Sequence, residues 1–92
     1  MKPFDKIYKV VSKIPKGKVL TYKQVAILSD IKNPRLVGFY LHKNKNPDKI
    51  PCHRVILSNG KLATGYAFGG PQKQKELLQK EGIKFKNDII LL

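Results

Sequence analysis

The residues best suited to covalent chemistry are Cys52 and His53, which stand side by side in the segment Pro51-Cys52-His53-Arg54-Val55. Cysteine reacts as its thiolate, and cationic surroundings lower the pKa of a thiol, so this pair in a basic chain indicates an activated nucleophile. Adjacent side chains of an extended segment point to opposite faces, so we expect a bridging water between the two. Spacing alone favours a buried structural cysteine, because free cysteine is among the most often buried residue types.

Cys52 is the only cysteine, and His42 and His53 are the only histidines. One cysteine cannot form an internal disulfide, and these three residues are too few for a Cys/His zinc cage. We therefore expect no metal site, and the fold must be held together by packing.

The size and charge of the chain limit its class. Its 92 residues, 41% of them hydrophobic, predict a single domain over residues 1–92 with one modest core. The formal charge of +13 indicates a polyanionic partner such as nucleic acid, although a lysine-rich solubilising surface explains the charge equally well. No window approaches the roughly 18 to 20 apolar residues of a membrane span, and the first residues lack a signal peptide, so we expect a cytoplasmic protein without membrane contact.

The apolar residues near the start of the chain recur at spacings of three and four, which predicts an amphipathic helix over residues 3–13. Pro15-Lys16-Gly17 closes it, and Val19-Leu20 follows as a short extended link. The stripe consists of Phe4, Ile7, Tyr8, Val11 and Ile14.

Two more short helices are predicted next. Thr21 and Gln24 form a capping box for the first, which ends near residues 29–30. Its inward-facing residues are expected to be Val25, Ala26 and Leu28. Asn33 before Pro34 is a helix cap with proline at the first helical position, so the next helix runs from there to residues 42–43. The pair has the size of a helix-turn-helix that would carry Arg35 to a duplex, but short helix pairs are common and this signal is weak by itself.

The second half of the chain alternates loops with short elements. The β-branched run Val55-Ile56-Leu57 predicts a strand, and Asn59-Gly60 predicts a turn. A glycine-punctuated loop at 65–70 precedes a helix over 71–81 that Gly82 stops. The apolar tail at 83–92 is expected to be a packed strand. The predicted class is α/β and mostly helical: one winged-helix-like domain with a helix-turn-helix.

Several of these motifs, taken in order, resemble the C-terminal domain of the O6-alkylguanine-DNA alkyltransferases. The similarity covers residues 8–85, and its Pro-Cys-His-Arg-Val signature is highly specific when the helix-turn-helix signature precedes it. The matching segments are Gly17-Lys18-Val19-Leu20-Thr21-Tyr22-Lys23-Gln24-Val25-Ala26, Arg35-Leu36-Val37-Gly38, Asn44, Pro51-Cys52-His53-Arg54-Val55-Ile56, Thr64-Gly65-Tyr66-Ala67, Leu77-Leu78 and Glu81-Gly82.

The resemblance implies a reaction centre. Cys52 matches the nucleophile that takes the alkyl group from guanine O6 once and irreversibly, and His53 matches the histidine that deprotonates the thiol through a water. Glu81 matches the carboxylate that orients this histidine, whereas its place near a helix end predicts a solvated side chain. Asn44, rather than Asn46, matches the asparagine that braces the active-site turn.

The resemblance also implies a DNA interface. Arg35 matches the arginine that fills the space of the extruded nucleotide, and Thr21 and Tyr22 match positions at the DNA. Taken in isolation, Arg35 is a surface charge and Tyr22 a half-buried residue. The residues expected to line the guanine pocket are Tyr22, Val55, Tyr66 and Ala67. The implied partner is double-stranded DNA containing O6-alkylguanine, bound by a monomer without a cofactor.

The chain departs from the family in ways that keep three functions open. It has no room for the N-terminal domain that members commonly carry, and Ala67 replaces a frequent serine. Its length and its 65–70 loop are similar to the alkyltransferase-like proteins, which bind alkylated guanine without transferring the group. Those proteins often have tryptophan where this chain has Cys52, so we expect an alkyltransferase. A lesion sensor is the alternative, and a plain basic DNA-binding module with an inert cysteine is the third.

Overall fold

The computed structural model describes residues 3–46, 49–57, 59–62, 69–87 and 89–91, with only the backbone of residues 3 and 4. Its helices are α1 (Pro3–Ser12), α2 (Tyr22–Leu28), α3 (Pro34–His42) and α4 (Gly70–Lys80), with a 3-10 turn at Cys52–Arg54. Its strands are β1 (Leu20–Thr21), β2 (Val55–Ile56), β3 (Phe85–Lys86) and β4 (Ile89–Ile90). The described residues thus form a mostly helical α/β fold, as predicted. They include no helix that is both long and apolar enough to cross a membrane.

Helix α1 buries the apolar stripe that its sequence predicts. Ile7 and Val11 are fully buried, and Ile14, just beyond the helix, is nearly so. They pack in one core with residues of α2 and α3, namely Val25, Ala26, Val37 and Leu41. The three helices therefore share one apolar interior, which fixes their positions relative to one another.

Helix α2 begins with the predicted capping box. Thr21 Oγ1 accepts the Gln24 N–H at 3.0 Å, and Gln24 Oε1 accepts the Thr21 N–H at 2.8 Å. The expectation that Leu28 points inward is wrong, because this side chain is 62% exposed. The helix ends there, the chain reverses at Asp30 with φ of 58°, and Ile31 returns to the core in its place.

Helix α3 also begins at its predicted cap. Asn33 Oδ1 accepts the Arg35 N–H at 3.0 Å, and Pro34 opens the helix. Gly38 faces α2, where an added Cβ would lie 3.8 Å from the ring of Tyr22. The start of α2 therefore lies in contact distance of α3, in the arrangement of a helix-turn-helix.

The extended link at 19–20 and the β-branched run pair with each other. Strands β1 and β2 are parallel, with Leu20 opposite Val55 and Thr21 opposite Ile56. This ladder places the beginning of α2 beside the chain that leaves the 3-10 turn. The turn and the helix pair are thus joined directly through backbone hydrogen bonds.

The last helix and the tail form the second half of the core. Helix α4 spans Gly70–Lys80, one residue earlier at each end than predicted, and Gly82 follows with φ of 90°. The tail is an antiparallel pair, β3 with β4, rather than one strand. The predicted turn at 59–60 contains Gly60 with φ of 83°, where a Cβ would lie 3.1 Å from Ile89. The residues that pack together here are Ile56, Leu62, Leu78 and Ile90.

Candidate active site and DNA interface

Cys52 opens the 3-10 turn and is only 5% exposed. Its N–H donates to Ile50 O at 2.7 Å, and the Arg54 N–H donates to Pro51 O at 2.9 Å, which closes the turn. The expectation of an extended segment here is therefore wrong. In a 3-10 turn successive side chains are about 120° apart, so Cys52 and His53 do not point to opposite faces.

Asn44 lies against this turn and is 4% exposed. Its Nδ2 donates to Ile50 O at 2.8 Å, and its Oδ1 accepts the Asn46 N–H at 2.9 Å. The Asn44 side chain also lowers the pKa of the Cys52 thiol. Asn46 takes part through its backbone, donating its N–H to Asn44 Oδ1 and accepting the Ile50 N–H at its carbonyl oxygen, so Asn44 is the asparagine whose side chain the fold brings to the turn.

The thiol of Cys52 is protonated at neutral pH in this setting. Burial raises its pKa, and this effect exceeds the lowering by hydrogen bonds from Asn44 and from its own backbone N–H. The expectation that cationic surroundings lower this pKa is wrong for the resting site, because removal from water disfavours the anion more than these hydrogen bonds stabilise it. The thiol therefore needs a nearby base before it can attack.

His53 and Glu81 form the pair that could supply this base. His53 is 8% exposed, and its Nε2 lies 2.9 Å from Glu81 Oε2. Arg54 donates from Nε to Oε1 at 2.9 Å and from Nη2 to Oε2 at 2.6 Å. Burial alone raises the pKa of Glu81, but the bonds and charges of Arg54 and His53 outweigh it and hold this pKa at about 2. Glu81 is therefore an ionised acceptor, not the solvated residue that its place at a helix end predicts.

The ionised carboxylate fixes the orientation of the imidazole. Since Glu81 can only accept, Nε2 of His53 carries the proton that lies between them, and Nδ1 is the nitrogen left to take another. The groups that the sequence singled out as Cys52, His53, Glu81 and Asn44 thus surround one turn. Together they provide a thiol, a histidine that can act as its base, and a carboxylate that orients this histidine.

Two residues of this network were not predicted as site residues. Arg54 also donates from Nη1 to Ile14 O at 2.8 Å, and Gln74 donates from Nε2 to His53 O at 3.0 Å and Val55 O at 2.9 Å. Gln74 is completely buried within α4. The sequence feature that could have indicated Gln74 is its position four residues before Leu78, which places both on the buried face of the helix.

Two tyrosines lie near the thiol. Burial raises the pKa of Tyr22 to about 12, and the negative charge of an ionised Cys52 adds to the effect. The same two causes raise the pKa of Tyr8, whose hydroxyl donates to Tyr40 O at 2.7 Å. Both phenols keep their protons at neutral pH, so Tyr22 can act as a hydrogen-bond donor at the start of α2.

The residues expected at DNA lie at the N-terminal ends of the helix pair. Thr21 uses its hydroxyl oxygen to cap α2, which leaves the O–H free to donate. Arg35 is exposed in the first turn of α3. Farther along α3, Phe39 is 53% exposed and the Nζ of Lys43 lies 4.3 Å above its ring centre. This face thus combines cationic and apolar groups.

The expected guanine pocket is described only in part. Val55 is fully buried beside the turn, and one lone pair of its carbonyl oxygen is used by Gln74. Tyr66 and Ala67 lie outside the described residues. No group of three His, Cys, Asp or Glu residues that could hold a metal ion occurs in the ranges that are described.

The chain is similar to proteins that act on or bind alkylated DNA. Residues 2–83 match the family model described as the 6-O-methylguanine DNA methyltransferase DNA binding domain. A methylated-DNA–protein-cysteine methyltransferase of Saccharolobus solfataricus is 50% identical over 78 residues, which are 85% of this chain and 49% of that protein. A bifunctional methyltransferase/endonuclease of Picrophilus torridus is 36% identical over 88 residues, 95% of this chain and 29% of that protein. The chain thus spans about half or less of these relatives.

A solved structure is similar over most of both chains. It is Atl1 of S. pombe in complex with damaged DNA containing O6-carboxymethylguanine, with a TM-score of 0.82 and 32% identity. The match covers 94% of this chain and 83% of that one. The winged-helix-like arrangement expected from the sequence is therefore found in a protein that holds an alkylated duplex.

Proposed function

We propose that this chain, which belongs to the family of the 6-O-methylguanine DNA methyltransferase DNA-binding domain, repairs DNA by transferring the O6-alkyl group of guanine to Cys52. The observation that carries the proposal is the thiol of Cys52 on a turn that also holds the His53–Glu81 pair. A buried, protonated thiol has little reactivity by itself, and a histidine oriented by a carboxylate is the group that could activate it. The name of the Saccharolobus relative, a protein-cysteine methyltransferase, supports this assignment.

In the proposed reaction, Nδ1 of His53 receives the Cys52 proton through a water. The thiolate attacks the alkyl carbon, a carbon–sulfur bond forms, and the carbon–O6 bond breaks. The electron pair of that bond stays on the guanine, which takes up a proton from water as it becomes the normal base, and His53 returns the thiol proton to water, so that no net proton is gained or lost. Tyr22 keeps its proton at neutral pH, and we assign its hydroxyl as a hydrogen-bond donor to the flipped base.

The product explains why the protein would act once. A thioether has no good leaving group, so Cys52 cannot pass the alkyl group on to water. Each chain therefore repairs one lesion, and the reaction is stoichiometric. No cofactor enters this scheme.

The proposed substrate is duplex DNA containing O6-alkylguanine. The target atom is unreachable inside a base stack, so the nucleotide must be flipped out at a cost of a few kcal/mol. We assign Arg35 to the vacated space and Thr21 to the phosphate backbone, with Val55, Tyr66 and Ala67 at the pocket. The charge of +13 and the Atl1 complex with damaged DNA support this partner.

A lesion sensor is the second candidate. The likeness to Atl1 covers 83% of that chain, and the pKa of Cys52 is raised by burial, both of which favour recognition without transfer. Cys52 favours the enzyme, because a thiol within reach of an alkyl carbon and a base can react.

One experiment separates the two. A short duplex with O6-methylguanine is mixed with the protein under reducing conditions, and the intact mass is followed. The enzyme gains one methyl group per chain on Cys52 and then stops, while Cys52→Ser gains none and still binds the duplex. Tight lesion-selective binding with an unmodified Cys52 identifies the sensor, and equal binding to undamaged DNA identifies a plain basic module.

A further inference from the structure

Arg54 shares the carboxylate of Glu81 with His53. Two of its nitrogens reach the two oxygens at 2.9 and 2.6 Å, and the same Oε2 that receives the shorter bond also lies 2.9 Å from His53 Nε2. The side chains of Arg54 and Glu81 are 16% and 10% exposed, so water screens this pair weakly. The imidazole therefore faces a carboxylate that is already paired with a fixed positive charge.

The third contact of Arg54 anchors this arrangement. Its Nη1 donates to Ile14 O at 2.8 Å, which ties the guanidinium to the chain just beyond α1. A guanidinium is planar and always charged, so three bonds in its plane fix both its position and its charge. A lysine at this place could keep the charge, but it could not keep the two-point contact with Glu81.

This geometry has an electrostatic consequence. A bare carboxylate stabilises a protonated imidazole strongly, whereas a carboxylate neutralised by arginine does so much less. A histidine that acts as a base must accept its proton from the thiol and not hold one beforehand. Within the part of the chain that the structure describes, the charged and titratable groups that interact at this centre are Tyr8 from α1, Tyr22 from α2, Cys52, His53 and Arg54 from the 3-10 turn, and Glu81 from the end of α4.

We propose that Arg54 is a positioning residue. Its guanidinium holds the Glu81 carboxylate against His53 Nε2 and neutralises part of the negative charge that the imidazole would otherwise meet. The imidazole is then held in place by a carboxylate whose charge is already balanced. This inference rests on the proposed function for its meaning in the reaction, but the electrostatic effect exists with or without transfer.

The test follows the rings of His53 and His42, the only histidines, by NMR as a function of pH. Arg54→Gln should raise the pH at which the His53 ring is half protonated by about one unit, a tenfold change in proton affinity. Arg54→Lys keeps the charge and should move this midpoint by much less. His42, exposed at the end of α3, is the control within each spectrum, and Lys80→Gln removes an exposed charge beside Glu81 as the matched variant.

Transfer to O6-methylguanine DNA gives the second readout. Arg54→Gln should lose about tenfold of its rate at the acidic side of the profile and recover as the pH rises, whereas Arg54→Lys should lose rate equally at every pH. An unmoved His53 midpoint in folded Arg54→Gln overturns the proposal. If that variant does not fold, Arg54→Lys decides: an unmoved midpoint supports the proposal and a shift of one unit refutes it. If the wild type transfers no alkyl group, the proposed function is refuted but the role of Arg54 is not, because the NMR titration does not depend on transfer.

Discussion

Cys52 combines two properties that oppose each other. Burial raises the pKa of its thiol, and the proposed reaction needs the thiolate. Burial also protects the anion from solvent once it forms, which increases its nucleophilicity toward carbon. Both properties are compatible if the surrounding residues deprotonate the thiol only when substrate is present. The role of each can therefore be tested through the pH at which the thiol reacts.

Loss of the base should be partly repaired by alkali. His53→Ala is expected to lower the alkylation rate with free O6-benzylguanine by about 10² or more at neutral pH, because hydroxide must then ionise a thiol whose pKa is raised. The defect should shrink as the pH rises. Rates from intact-mass time courses between neutral and alkaline pH measure this. A defect of constant size in a folded variant would make His53 a structural support of the turn.

Glu81 should make stability sensitive to acid. Its pKa lies at about 2 in the folded chain and at 4.5 without these partners. A lowered carboxyl pKa contributes stability that is fully present above pH 4.5 and disappears as the pH falls toward 2. Glu81→Gln should therefore be less stable than the wild type near neutrality, and the difference should shrink in acid. Thermal unfolding across this range tests the sign, with Glu76→Gln on the exposed side of α4 as the control.

The elements that meet at the turn contribute different parts of the site. The ladder of β1 with β2 joins the start of α2 to the residues after the turn, and α4 presents Gln74 and Glu81 to its other side. Helix α3 contributes its exposed first turn with Arg35, and its buried residues Val37 and Leu41 share one core cluster with Cys52. The proposed reaction centre at the 3-10 turn and the proposed DNA contact of Arg35 therefore lie on different elements, and substitutions can test them separately.

Gln74 in α4 should matter more for stability than its polarity suggests. Gln74→Leu removes both hydrogen bonds to buried carbonyls, so we expect the free energy of unfolding to fall by about 2 to 4 kcal/mol. Denaturant unfolding measures the change. Gln72→Leu, two residues earlier on the exposed face, is the control and should change little. Equal, small effects of both would show that the carbonyls find other donors.

Arg35 in α3 should affect flipping and not chemistry. Arg35→Ala is expected to slow repair of a duplex at least tenfold more than reaction with free O6-benzylguanine, because the free base needs no extrusion. Parallel rate measurements on the two substrates test this, and Lys32→Ala controls for the loss of a nearby exposed charge. Equal losses on both substrates would place Arg35 in the reaction itself.

The elements differ in how far the sequence predicts them. Caps and stripes are local, so the starts of α2 and α3 and the buried face of α1 follow from residues within one or two turns. Leu28 is predicted wrongly because the reversal at Asp30 depends on how the next segment packs. The 3-10 turn and the Arg54–Glu81 pair depend on residues far apart in the chain, which a local pattern cannot show. The family resemblance pointed to Glu81 as a site residue, but only the structure shows that its carboxylate contacts both His53 and Arg54.

For the whole molecule, the charge of +13 sets how it meets DNA. Contacts between lysines and phosphates release counterions, so affinity falls steeply with salt. Charge also raises the rate of encounter without distinguishing damaged from normal sites. Under the proposed function, selectivity for damaged DNA must therefore come from the flipped base and its pocket.

Salt dependence should identify the lysines that touch phosphate. Lys43→Gln, at the residue that follows α3, is expected to reduce the slope of log affinity against log salt by about one, while Lys80→Gln at the end of α4 leaves it nearly unchanged. The two variants have the same net charge, so only position distinguishes them. Fluorescence anisotropy over a salt series measures both slopes. Identical slopes would mean that α3 does not face the duplex.

The sequence separation of the contacts around the turn also determines at which stage of folding the site is assembled. His53 meets Glu81 across 28 residues, and Arg54 reaches back 40 residues to Ile14, whereas the cap of α2 closes within three. Closing long loops costs entropy, so distant contacts form later than local ones during folding. A chain still leaving the ribosome has its first helices before it has a base for its cysteine. Under the proposed function, the thiol therefore becomes reactive only after Glu81 has joined the fold, and a nascent chain cannot consume its single cysteine before that.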